Sequence, residues 1–156
     1  MSIGTNCVIM ENAVLRATPG NPLTLGDNVL VGPHAHLTGC TVEDNVFLAT
    51  GCSVFTRARI GTGAEVRING VVHLKTVLPP NETVPISWIA VGDPCRILPP
   101  GEHESIWSVQ EPLNFPKTAF GVDRPHPGET IMPEAMRRYA ESLGKHHRAD
   151  SIVKKE

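Results

Sequence analysis

Aromatic side chains are scarce, at 4% of 156 residues, which leaves little from which to build the core of a helical bundle. No apolar run approaches the roughly 18 residues that span a bilayer, and Met1-Ser2-Ile3 does not open a signal peptide with a basic flank. A soluble, cytoplasmic chain without a membrane partner is the expectation. Charge of one sign is also lacking. The formal net charge is −2 and the isoelectric point is near 6.4, so no single-sign field gathers nucleic acid, and such partners are set aside. The four cysteines, Cys7, Cys40, Cys52 and Cys95, include no C-x-x-C pair. An even count in a chain this long does not define a disulfide framework, so they read as reduced thiols. The length holds one compact domain with an appendage rather than two ordinary domains.

Glycine and proline, 14 of each, suit repeated tight turns. A repeat is present. Aliphatic residues recur every six positions at Ile3, Ile9 and Leu15, then at Leu25, Val31 and Leu37, and after a step of five at Val42, Leu48, Val54, Ile60, Val66, Val72 and Leu78. Small or β-branched residues follow four places later at Cys7, Ala13, Val29, Ala35, Thr41, Val46, Cys52, Ala58, Ala64, Gly70 and Thr76. Two inward positions per hexad, with three hexads per turn, describe a triangular all-β solenoid of short parallel strands. An antiparallel meander would alternate with period two and keep no six-residue beat across the Gly and Pro positions.

Two breaks in register mark corners. Four extra residues around Thr18-Pro19-Gly20-Asn21-Pro22 read as a loop leaving one corner. One residue is missing between Leu37 and Val42, which makes that corner tighter. After about four coils the beat is expected to stop at Pro79-Pro80, because proline cannot donate a ladder hydrogen bond, and the segment to Pro100 is expected to wrap the end. The division expected is a solenoid over 1–98 and an extension over 99–156 with one or two helices. One helix fits Glu102 to Gln110. A second has Pro133 in its first turn, places Met136, Tyr139, Ala140 and Leu143 on one stripe, and is expected to stop at Gly144. That stripe is expected to pack on the solenoid flank, and the tail from Lys145 to fray.

Leu25-Gly26-Asp27-Asn28, Val31-Gly32, Leu37-x-Gly39-Cys40 and Val42-x-Asp44-Asn45 follow one another in an order that resembles the γ-carbonic anhydrase-like branch of the hexapeptide-repeat proteins. The resemblance covers roughly Ile3 to Arg96, with Val91-Gly92-Asp93-Pro94 similar to the branch's final Gly-Asn-Pro. It implies a left-handed parallel β-helix, an exception to the usual right-handed crossover. It also implies a homotrimer with a metal between neighbouring subunits.

The zinc ligands that the resemblance implies are replaced. One histidine falls directly after Leu15, where Arg16 stands; a second falls two places after Val31, at Pro33; a third directly follows Leu37, at Thr38. Arg16 and Thr38 share a column on successive coils, while Pro33 lies where a neighbouring subunit could present it. The branch's Gln-Asp pair near the first ligand appears as Met10-Glu11, and the chain begins about one or two coils late, either naturally or by truncation.

A catalytic zinc needs three ligands from His, Cys or carboxylate, so no metal and no cofactor are expected at the inherited position. The best-fitting reading is a trimeric scaffold or a binder of a small anion or carboxylate, with Arg16, Glu11, Pro33 and Thr38 around the ligand and Arg16 gripping it by paired hydrogen bonds. A neighbour's Glu11 could instead neutralise Arg16 as a structural ion pair. His34, His36 and His73 are the catalytic candidates. They serve either a hexapeptide acyltransferase using acyl-coenzyme A, with a cleft histidine as general base, or a carbonic anhydrase with a shifted metal site. Against the second, His34 and His36 also fit outward-facing turn and interface positions, and His73 lies two coils from Arg16 and Thr38. Arg57, Arg59 and Arg67 read as a solvated face, Cys40 and Cys52 as packing residues, and His146-His147 as lacking a third ligand. Fold alone licenses no activity.

Overall fold

A computed structural model describes residues 1–126 and 128–149. They form two compact units, divided between Val109 and Gln110. The first is a left-handed parallel β-helix of five turns. Strands β1 (Ser2–Ile3), β2 (Val8–Ile9) and β3 (Val14–Arg16) make the first turn, and β4 (Thr24–Leu25), β5 (Leu30–Val31) and β6 (His36–Thr38) the second. The third holds β7 (Thr41–Val42), β8 (Phe47–Leu48) and β9 (Ser53–Val54). The fourth holds β10 (Arg59–Ile60), β11 (Glu65–Val66) and β12 (Val71–Val72), and the fifth β13 (Val77–Leu78), β14 (Thr83–Val84) and β15 (Ile89–Val91). Each strand stacks in parallel on its counterpart one turn away, giving three faces: one headed by β1, one by β2 and one by β3. A last strand, β16 (Arg96–Leu98), turns back antiparallel on β15.

The inward rows follow the six-residue beat. Leu25, Val31, Leu37, Leu48, Val54, Ile60, Val66, Val72 and Leu78 are all at most 2% exposed, and the small partners Ala35, Cys52, Ala58 and Ala64 are equally buried. An aliphatic facing a small residue fills the narrow triangle without strain, which is how close-packed interiors exclude voids. The corners need left-handed backbone. Asn6, Asn28, Asn45 and Asn81 at the first corner, Asn12, His34, Asn69 and Ser87 at the second, and Arg57 and Lys75 at the third have φ between 54° and 62°. Asparagine accepts that conformation more readily than most residues, and the amides of Asn6, Asn28 and Asn45 form a ladder, 2.7 and 3.1 Å apart.

Both register breaks are present. Pairing runs Ser2 to Thr24, Thr24 to Thr41 and Thr41 to Arg59, so the first step is four residues longer and the second one residue shorter than the regular eighteen. The extra residues fold into a tight loop in which Thr18 and Asn21 exchange backbone hydrogen bonds of 3.1 and 2.9 Å.

The solenoid does not end at Pro79-Pro80, and it has five turns rather than about four. The beat continues at Val84 and Ala90, both fully buried. Amides in and just after each strand donate to carbonyls of the next turn, as Gly61 does to Leu78 and Arg67 to Val84, while corner amides such as Asn45 donate back to the turn before. Pro79 and Pro85 occupy the matching positions after β13 and β14, which are the last strands of their sheets. An amide there would meet no ladder acceptor, so proline removes nothing.

Beyond β16, helix α1 spans His103–Gln110. The second unit contains a 3-10 turn, Glu111–Leu113, then α2 (Phe115–Phe120) and α3 (Met132–Ala149). Asn114 caps α2, its side chain accepting from the Lys117 amide at 3.4 Å. Phe120 meets Tyr139 edge-to-face with ring centres 6.0 Å apart, joining α2 to α3. Gly144 does not end α3, because it keeps helical rather than left-handed backbone and good helix formers follow it. Among the described residues no helix is long and apolar enough to cross a membrane.

Candidate ligand site on the third face

Arg16 and Thr38 close β3 and β6 and are direct partners across the ladder, with the Gly39 amide donating to the Arg16 carbonyl at 2.8 Å. Leu37 is fully buried, so its strand neighbours His36 and Thr38 both project from the outer surface, as alternation along a strand requires. His36 Nε2 and Thr38 Oγ1 lie 2.9 Å apart. Arg16 has an interaction of its own within the chain. Guanidinium, hydroxyl and imidazole thus sit on two adjacent rungs.

Glu11, Pro33 and His34 lie at the second corner, which leads into this face. The His34 amide donates to the Glu11 carbonyl at 3.1 Å, stacking the two corners directly. His73 is not part of this group. The outer row runs from Thr38 through Phe55 to His73, following the pairings of Leu37 with Val54 and Val54 with Val72. The imidazole packs on Phe55, ring centres 6.0 Å apart. Its Nδ1 is buried without a hydrogen-bond partner, and burial pushes its pKa below the ordinary 6.5.

No profile of a known protein family matches the chain. Among curated proteins, γ carbonic anhydrase 1 of Arabidopsis thaliana mitochondria is 27% identical over 154 residues, covering 94% of this chain and 52% of the relative. A carbonic anhydrase of Geobacillus kaustophilus is 31% identical, covering 62% of this chain and 50% of the relative. A probable carbonic anhydrase of Methanocaldococcus jannaschii is 30% identical, with coverages of 70% and 65%. The chain is a γ-carbonic anhydrase-like hexapeptide-repeat protein. It spans about half the length of the first two relatives. Among solved structures, a hexapeptide-repeat acetyltransferase of Vibrio cholerae with acetyl coenzyme A is 26% identical, with a TM-score of 0.46, covering 62% of this chain and 57% of the other.

Carbonic anhydrase relatives raise the question of zinc, and the side chains at the positions where the resemblance expects its ligands are poor donors for it. Arg16 offers no lone pair at neutral pH, Pro33 no side-chain donor at all, and Thr38 a neutral hydroxyl. Among the described residues no group of three or more His, Cys, Asp or Glu side chains within the chain is placed to hold a metal. His34, His36 and His73 do not gather around one point. The side chains of His146 and His147 lie outside the described residues. The four cysteines are free; burial pushes Cys40 and Cys52 up to about 12 and Cys95 to about 11, so none of these three is a ready nucleophile. Arg57 donates to Asn21, Arg59 to Glu43 and Arg67 to Glu65, each at an exposed position.

Sequence reasoning placed His36 as a base, a metal ligand or an outward-facing turn and interface residue, and missed its bond to Thr38. The signal was available: residues two apart on a strand share a face. It also missed an open groove between Arg67, Thr83, Pro85, Ile86 and Trp88 near the far end of the solenoid.

Proposed function

We propose that this protein binds a small carboxylate or bicarbonate-like anion at Arg16 and Thr38, works as a homotrimer whose neighbouring chains close that site, and does not hydrate carbon dioxide through zinc. The observation that carries the reading is the direct pairing of Arg16 with Thr38. A guanidinium offers two parallel N–H donors to a carboxylate, and a hydroxyl beside it supplies a third. Trimer formation is supported by Val8, Val14, Phe47 and Phe55, apolar residues 39–53% exposed on the second and third faces, which a closed ring would cover. Four free thiols suit a reducing compartment such as the cytoplasm.

Calorimetric titration with sodium acetate tests the anion. Binding by the wild type, weakened about tenfold or more in Arg16→Gln, is expected, since hydrogen bonds to charged groups are worth about 1.5–3 kcal/mol. Acetyl-coenzyme A binding that depends on His36 would replace this reading with acyl transfer. Stoichiometric zinc in the wild type, lost in His34→Asn or His36→Asn, would restore metal chemistry. The triple variant Arg16→His, Pro33→His, Thr38→His should bind zinc and gain stability from it, because metal held only by the assembled state stabilises that state.

A further inference from the structure

We infer that the anion site takes a carboxylate with an apolar tail of about four to eight carbons, the tail lying along the third face over Phe55 and His73; this rests on the anion-binding reading above. Strand pairing stacks one outward column in the order Arg16, Thr38, Phe55, His73 and Val91. The column changes character after Thr38. On one side of it stands a guanidinium, and on the other a phenyl ring that is 39% exposed. The His73 imidazole packs on that ring, and burial disfavours its charged form, so it extends the apolar surface rather than adding a second cation. Val91, the next outward residue, is fully buried. Val109 of α1 closes in beside it, 3.1 Å from where a Gly92 Cβ would stand. The column thus begins at a cation, passes over two apolar rungs and ends where the chain covers it.

Charge beside the column has the matching sign. Arg57 and Lys75 follow Phe55 and His73 at the third corner, and the parallel outward column, Val14, His36, Ser53 and Val71, holds no carboxylate. Glu11 stands at the opposite corner of the face. Rungs about 4.8 Å apart and carbon–carbon bonds of about 1.5 Å mean that roughly four carbons cross from Thr38 to Phe55 and roughly eight reach His73. Acetate or bicarbonate engages only the polar head of this column. A longer tail also removes the Phe55 ring from water, which is favourable in proportion to the apolar area covered. Phe55 is among the residues that a neighbouring chain covers in the proposed trimer, so the tail lies in the seam between two chains.

The experiment is calorimetric titration of the full chain with acetate, butyrate, hexanoate, octanoate and decanoate at about pH 7.5, where all are ionised. Affinity is expected to rise about two- to fourfold per methylene, the scale of a methylene moved from water onto apolar surface, and to level off at about eight carbons. Hexanamide, which keeps the tail and loses the charge, should bind about tenfold more weakly than hexanoate, and Arg16→Gln should weaken hexanoate by a similar factor. Phe55→Ser should lose most of the gain with length; if that variant separates the chains, the wild-type series and hexanamide decide. Acetate and hexanoate binding equally well, or a rise with length that Phe55→Ser retains as a trimer, overturns the inference and leaves anion binding standing. Hexanamide binding as tightly as hexanoate, or a rise that continues undiminished to decanoate, overturns it as well. A wild type that binds no member of the series overturns the anion reading itself, and the inference with it.

Discussion

The first face and the other two share one interior and differ on the outside. On the outer row of the first face Ser2, Thr24, Thr41 and Arg59 are polar, before Val77 on the last turn, and the charged groups beside this row find partners within the chain. Glu43 accepts from Arg59 Nε at 2.8 Å and from the Thr62 amide and hydroxyl at 2.9 and 3.0 Å, while Asp27 accepts from the Thr5 amide at 2.6 Å. On the second and third faces the corresponding rows expose Val8, Phe47, Val14 and Phe55. Inward residues specify the solenoid on every side, whereas outward residues decide which sides stand alone in water and which call for a covering surface.

The largest effect expected from breaking this contrast is on assembly. Phe47→Asp combined with Phe55→Asp should convert three-chain particles to single chains in sedimentation equilibrium, while Glu43→Gln leaves the mass unchanged; a wild type that sediments as one chain sinks the idea. Next in size are inward truncations, which should not distinguish the faces. Ile60→Ala, Leu48→Ala and Leu37→Ala, one per face and all fully buried, should each cost about 2–5 kcal/mol in urea unfolding. A face whose truncation is nearly free would show that the interior is not uniform.

A smaller effect should come from His73, in the apolar row beside Phe55. Burial lowers its pKa from 6.5, so the unfolded chain binds the proton more readily than the folded one. Its contribution is therefore fully present above about pH 6.5 and falls as pH drops toward the folded pKa. His73→Leu should flatten that part of the profile of urea midpoints against pH. The smallest change belongs to the first face. The bonds from Arg59 and then Thr62 hold the Glu43 carboxyl below its ordinary 4.5, so its stabilisation is present above that value and lost as pH falls below it. Arg59 is 62% exposed, so Glu43→Gln should cost only about 0.5 kcal/mol at neutral pH.

The interior was legible because burial enforces period: from Leu25 to Leu78 each expected aliphatic is inward, and the inserted and missing residues reappear as shifts in strand pairing. The fifth turn was hidden by Pro79, Pro80 and Pro85, which read as ladder breakers until the direction of donation is known. Gly144 misled in a similar way, since a glycine ends a helix only by adopting left-handed backbone. At the candidate site the column of Arg16 and Thr38 could be read from spacing. The separation of His73, two coils on from Thr38, could be read from spacing as well, whereas the bond from His36 to Thr38 depends on a side-chain rotamer, which spacing does not fix.

The loop at Thr18 to Asn21 and the shortened corner at Gly39 lie one turn apart, and they touch. A side chain added at Gly39, where φ is +49°, would come 2.8 Å from the Asn21 Cβ, and Arg57 Nε donates to Asn21 Oδ1 at 2.9 Å. The longer corner leans into room left by the shorter one, so the two irregularities compensate each other. In a repeat protein each rung answers only to its neighbours, and an insertion can be absorbed locally if the adjacent rung yields. The pair therefore behaves as one inherited unit: lengthening the corner at Gly39 while keeping the loop, or grafting the loop onto a chain with a full-length corner, is expected to fail where the exchange of both together succeeds.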